Sequence, residues 1–385
     1  MARDVIERKL TAAKTGRVSF SVASPDDDVD IRRLLRENPL TGKISLTLER
    51  EPNYFAYTNL PGELKQTIVA RNGRRVACVG SCTIRRRFVN GKPSRVGYLG
   101  GLRLDASQVG RFDILRRGYE LFHALQTATP ADFYFTSIAA DNARARNFLE
   151  RGLPGLPRYE FIGEFVTVLI PMCRRSRREA ARSKSAKCQS RLTLAATAEL
   201  VAHLNEYNRQ HQFAPCWTVE ELTALKPLGL DLELFQSVHD GKKITAHAAL
   251  WDQRHFRQTV IRGYAPWLKL ARPALNLFAH FTGGIKLPAI GETLANAFVS
   301  HLIAEPGSPD ALVELLTMLL AAAAQRKIKM LTLGLAANDP RLIVVQKHFR
   351  SREYRSRLYV VRWPDCGGAA SELAGNLLAP EVALL

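Results

Sequence analysis

Eight residues recur half a chain apart. Ser137-Ile-Ala-Ala-Asp-Asn-Ala-Arg144 is matched by Gly334-Leu-Ala-Ala-Asn-Asp-Pro-Arg341, an offset of 334 − 137 = 197 in a chain of 385 residues. The strand and helix patterns on either side of each copy follow in the same order. Such a repeat restricts the chain to two related units that share a folding plan. The length agrees, since it exceeds what most single cores fill.

In the first unit, residues 17–23 alternate with β-branched and aromatic side chains and predict a strand. Ser24-Pro25-Asp26 then supplies a cap, a proline at the first helical position and an acid in the first turn, opening a helix to about residue 36. Residues 40–60, with Tyr54, Phe55 and Tyr57, read as a short helix and loop over a pocket. Asn72-Gly73 and Asn90-Gly91 suit two-residue hairpin turns and link strands at 66–71, 75–88 and 95–104 into an antiparallel meander. A polar turn at 105–111 leads to an amphipathic helix at 112–126, an aromatic strand at 132–138 and a helix at 141–152. Residues 158–171 form one strand, or two broken at Gly163.

The second unit repeats this order. A strand at 191–195 and a helix at 197–210 precede a hairpin at 232–238 and 244–252, which residues 256–264 extend as a third strand. Another strand at 297–304 leads to a helix opened by Ser308-Pro309-Asp310, and strands at 329–335 and 357–363 follow. The expected division is an N-terminal domain at 1–172, a basic linker at 173–190, a C-terminal domain at 191–365 and a loosely ordered tail at 366–385. The fold class is α/β with a mixed sheet in each unit.

The formal net charge is +19, which attracts polyanions such as tRNA or anionic small molecules. Seven of these cations fall between Arg174 and Lys187, where a solvated linker or a phosphate-binding tract are both readings of the run. Arg85-Arg86-Arg87 lies on a strand, so its side chains alternate between faces, and an exposed edge is expected ahead of a groove for an acidic substrate. The first residues are too polar for a secretory leader, and the apolar run at 311–324 is too short to span a bilayer. A cytoplasmic protein without a membrane span is expected. The six cysteines form no C-x-x-C pair and the histidines are scattered, so no metal site is expected; Cys78 and Cys82 share one strand face as buried thiols.

A strand feeding a polar turn that opens a helix gathers unpaired backbone N–H groups at one spot, favourable for an anion. Residues 95–152 have this form. Their order, with Asn142-Ala-Arg-Ala-Arg-Asn-Phe-Leu-Glu-Arg-Gly152, resembles the GNAT superfamily of N-acetyltransferases, so two GNAT-like acyl-CoA N-acyltransferase domains in tandem are expected. The resemblance implies acetyl-CoA or another acyl-CoA as co-substrate, no metal, and a small-molecule or peptide amine as acceptor. It places Leu102 and Leu104 beside the pantetheine, Gln108, Val109, Gly110 and Arg111 around the pyrophosphate, and Asn142 on the CoA arm. Tyr98 and Glu164 are the nominees for proton transfer. Gly100-Gly101 marks either a β-bulge where a ligand meets the backbone or a packing position.

Three departures qualify the likeness. The turn holds one glycine where the family spaces several, and Leu149 stands where the family often has a tyrosine. In the second unit Asp339 replaces the asparagine, which makes that unit the weaker CoA site. An aminoacyl-tRNA-dependent transferase and a non-catalytic binding module remain the other readings.

Overall fold

Asn90 and Gly91 both adopt positive φ, 50° and 77°, and turn the chain between two long strands. In the computed structural model, residues 18–56, 61–128, 130–172, 194–241, 243–282, 286–305, 307–363 and 373–385 are described. The expected basic linker and the strand at 191–195 lie largely outside them.

The first half runs β1 (Val18–Val22), α1 (Asp28–Glu37), β2 (Ile44–Glu49), β3 (Leu64–Asn72), β4 (Arg75–Val89), β5 (Lys92–Leu104), α2 (Phe112–Ala128), β6 (Phe133–Ala139), α3 (Ala143–Leu149) and β7 (Arg158–Pro171). The second half runs α4 (Leu194–Asn208), α5 (Val219–Thr223), β8 (Phe235–Asp240), β9 (Lys243–Trp251), β10 (Gln258–Tyr264) and α6 (Pro266–Thr282). It ends with β11 (Asn296–Ala304), α7 (Pro309–Gln325), β12 (Met330–Ala336), α8 (Pro340–His348) and β13 (Arg352–Arg362).

Eleven strands join in one sheet, in the order β1-β3-β4-β5-β6-β13-β7-β12-β11-β9-β8. The two halves exchange strands at its centre. β13, from the second half, pairs with β6 and β7 of the first, while β7 also pairs with β12. Residues 158–171 are thus one strand, with a register shift opposite Leu358 and Tyr359 near Gly163.

Three expectations fail. Residues 40–60 contain a strand, β2, and β10 pairs with it in a separate two-stranded sheet instead of extending the β8–β9 hairpin. Each edge finds a partner more than two hundred residues away, which no local pattern announces. The tail is not loose where it is described: Ala383 is buried, and Gln253 donates to its carbonyl at 2.9 Å.

Helices cover both faces. α7 buries Leu312, Leu315, Leu316, Leu319 and Leu320, the i, i+3, i+4 stripe of a core helix, against β9, β11 and β12. α2 covers Ile68, Cys82, Ile84 and Leu99, and α1 packs on Val69, Val76 and Val79 from the other side. Burial raises both cysteine thiols, Cys78 to about 12, so they act as small apolar groups.

Candidate functional site

β5 and β6 run parallel and in register from Val96↔Phe133 to Leu99↔Thr136, then part although both strands continue. The parting is built into the residues. Ser81 pairs with Gly100 but Val79 with Arg103, so β5 bulges there, and Gly101 takes φ +67°. Thr136 pins the fork by donating to the Leu99 carbonyl at 2.7 Å. At Gly100 a Cβ would lie 2.7 Å from the Tyr98 ring, so only glycine lets that ring lie back along its strand. Both readings of Gly100-Gly101 are met in part, since Gly101 lies in a bulge and Gly100 is a packing position against Tyr98.

The Tyr98 hydroxyl bridges the fork to the Ser137 hydroxyl at 2.8 Å, and its ring meets Phe135 at 5.1 Å. Burial raises this phenol above its ordinary value, against the lowering pull of Ser137, Arg257 and Arg87. It is therefore protonated at neutral pH and able to donate.

The turn beyond the fork is more self-contained than expected. The N–H groups of Gln108, Val109, Arg111 and Phe112 donate to carbonyls inside the turn, and Asp105 caps Ser107. Arg111 pairs with Asp113 at 2.7 Å. Gly110, at φ +96°, has no neighbour within 4 Å of a would-be Cβ, and the side chains of Leu102 and Val109 face solvent at the mouth. Leu104 packs instead with Cys78 and Ile114. Asn142 caps α3 by accepting from the Ala145 N–H at 3.1 Å.

Glu164 stands apart from Tyr98. β6 and β13 lie between their strands, which at strand spacing sets them at least ~14 Å apart. Glu164 pairs with Arg355 at 3.2 Å and lines a different cavity, of about 530 Å³, with Gly163, Asn338 and residues of the tail. The two nominees do not form one relay.

The chemistry on the Tyr98 face comes from residues the sequence reading set aside. Arg85 and Arg87 are buried, where an exposed edge was expected. β4 extends past β3, and the segment at Phe213–Cys216 pairs with this overhang through Phe88, Ala214, Phe213 and Arg86. Arg87 donates to the Phe213 carbonyl at 2.9 Å and lies over the Phe135 ring at 5.1 Å, yet its Nε and Nη2 have no hydrogen-bond partner. Arg85 lies over Trp217 at 4.8 Å with Glu63 at 4.0 Å, and its Nη1 is likewise unpaired.

Further cations share this field. Burial and then Arg85 pull the Arg87 guanidinium down to about 9, and burial and then Arg50 do the same to Arg257. Burial, with Arg50 and Arg257 adding to it, holds Lys65 at about 7. Among the described residues Glu63 and Glu381 pull against Lys65 and Arg87, burial raises the Glu381 carboxyl, and Arg257 donates to the Ala383 carbonyl at 3.2 Å and to the Leu385 oxygen. Buried guanidinium N–H groups without partners among the described residues are costly and call for water or a ligand to satisfy them.

The second half repeats the fork. β11 and β12 pair from Asn296↔Met330 to Phe298↔Thr332, then part beside a bulge at His301, φ +55°, where 301 − 101 = 200 matches the sequence offset to within three residues. This cleft is filled by the chain itself. Glu381 accepts from the His301 N–H at 2.8 Å, and Val382 packs on Gly334, where a Cβ would lie 2.7 Å from it. The His301 ring, 4.6 Å from Trp217, is held neutral by burial, its value pushed down to about 3.

No family model and no curated protein sequence matches the chain. Solved structures do. Saccharomyces cerevisiae N-myristoyltransferase with bound myristoyl-CoA aligns over 90% of this chain and 83% of its own, at TM-score 0.58 and 12% identity. A GCN5-related N-acetyltransferase from Sphaerobacter thermophilus aligns over 89% of this chain and 95% of its own, at TM-score 0.50 and 12% identity. At such identity the likeness carries architecture alone, and with the two bulged forks it is enough to say that this chain has the GNAT fold in duplicate.

Proposed function

We propose that the protein is an acyl-CoA-dependent N-acyltransferase whose first fork, between β5 and β6, is the working site and whose acceptor amine carries an anionic group. The observation behind it is the parted, bulged fork with a protonated Tyr98 at its base, where Leu378 and Leu385 share the Tyr98 cluster, beside a second fork entered by residues 381–383. The acyl-CoA arm enters between Leu102 and Ser137, and the pyrophosphate lies by Gly110. The amine nitrogen attacks the thioester carbonyl, the C–N bond forms and the C–S bond breaks. Tyr98 gives its proton to the departing thiolate and regains one, through water, from the attacking nitrogen, which must lose a proton for the tetrahedral adduct to become the neutral amide. The unpaired N–H groups of Arg85 and Arg87 receive the acceptor's carboxylate or phosphate.

Calorimetric titration with a series from acetyl-CoA to myristoyl-CoA tests the reading and measures the acyl length. Val109→Asp, at an exposed site beside the pyrophosphate, should weaken binding at least tenfold, about 1.4 kcal/mol, while leaving the fold intact. Absence of binding by every acyl-CoA would sink the proposal. Paired acceptors that differ in one group, β-alanine against propylamine and phosphoethanolamine against ethanolamine, then test the anion requirement through thiol release.

A further inference from the structure

Helix α6 presents the wrong face to water. Trp267, Leu270, Leu275, Leu277, Phe278 and Phe281 are 44% to 83% exposed. Reckoned at 3.6 residues per turn they fall within one arc of about 160°. The opposite side holds the helix by a narrow seam. Leu268 and Ala279 are buried there, Asn276 exchanges hydrogen bonds with Leu287 at 3.0 and 2.6 Å, and Arg272 donates to the Leu287 carbonyl at 3.3 Å. Isolated apolar side chains on a surface need no explanation, but six on one helix face do.

The charge around the helix selects the occupant. From Gln253 to Gly291 there is no Asp or Glu, while Lys269, on the flank of the helix away from the arc, and Lys286, past its C-terminal end, are exposed and the whole chain carries +19. A second copy seated face to face would bring these cations together, whereas an anionic bilayer would attract them. Tryptophan and phenylalanine along a helix with basic flanks is the composition of helices that lie in the lipid interface. No helix among the described residues is long and apolar enough to cross a membrane, so α6 can only lie on one.

We infer that α6 is an interfacial anchor that docks the protein on an anionic lipid surface, Trp267, Leu270, Leu277, Phe278 and Phe281 entering the acyl boundary and Lys269 and Lys286 meeting the headgroups. The inference is independent of the acyltransferase reading. A docked enzyme would meet amines or acyl chains presented at the bilayer surface.

The molecule carries its own reporter. Of four tryptophans, Trp217, Trp251 and Trp363 are buried and Trp267 is 59% exposed. Vesicles of phosphatidylglycerol should therefore shift the emission of the full chain to the blue, with no shift in Trp267→Phe. The wild type should float with these vesicles and at least tenfold less with phosphatidylcholine ones. The double variant Leu270→Glu, Phe278→Glu, altered only at exposed positions, should lose flotation by a similar factor and keep the wild-type circular dichroism. Three outcomes would overturn the inference: no flotation of the wild type, flotation of the double variant at wild-type level, or a lipid-free dimer that the double variant dissolves, which would make the occupant a second copy.

Discussion

Lys65 lies with its ammonium 5.1 Å from the centre of the Tyr54 ring, and burial, then Arg50 and Arg257, hold it at about 7 while Glu63 pulls the other way. The sign of the consequence is fixed. Between about 7 and the ordinary 10.5, the unfolded chain binds a proton at this site that the folded chain lacks, so stability rises with pH across that window. Below pH 7 the full cost of a charged lysine in a field of arginines is present. Replacing it with methionine keeps the stem and removes the charge. Lys65→Met should therefore raise stability by on the order of 1–3 kcal/mol at pH 6, discounted for partial exposure, and the gain should vanish above pH 10.5, as thermal melts across pH would read. The same variant should bind anionic acceptors more weakly, since it removes one of the cations that call for them. A stabilising change that weakens binding separates a functional charge from a structural one.

At the scale of elements, what was legible was local. The Asn-Gly turns, the Ser-Pro-Asp helix openings and the alternation of β5 and β6 each state their structure within a few residues, and these elements stand close to where the sequence puts them. The long-range choices were not legible. Nothing near β2 says that its partner is β10, and Arg85 and Arg87 look like an edge until the segment from Phe213 covers them. The site divides the same way: the fork at Gly100 and Tyr98 follows from strand and glycine chemistry, whereas the cluster of coupled cations depends on elements from both halves. The tail belongs to the second kind. Its seat in the fork of β11 and β12 depends on Gly334, where a Cβ would lie 2.6 Å from the Phe165 ring and 2.7 Å from Val382. Gly334→Ala should cost roughly 1–3 kcal/mol and unseat the tail, and hydrogen exchange at residues 381–385 should rise more than at β12 itself.

For the whole molecule the exchange of β7 and β13 outweighs the sequence division into two domains. Every residue of β13 from Arg352 to Arg362 has a partner on β7, across one register shift, and Ser356 to Val361 pair with β6 as well. Cutting the chain between the halves would leave β6 without β13, its neighbour on one side, and expose a row of unpaired N–H and C=O groups. It would also strip Val166, Val168 and Ile170, all buried, of the core they share with α7 and β12. At roughly 1.5–3 kcal/mol for each such side chain, that loss alone rivals the stability of a typical domain. Residues 1–190 expressed alone should therefore aggregate or remain unfolded by circular dichroism, and co-expression with residues 191–385 should recover a soluble complex. The intact chain should melt in one transition, because neither half has a complete sheet without the other. Two transitions, or a folded monomeric fragment, would show that the halves are stable on their own. The cluster of Arg50, Lys65, Arg85, Arg87 and Arg257 would then have to be assembled by docking after folding. With one transition it forms as the sheet closes, because Arg257 reaches Tyr98 and Lys65 from the other half of the chain.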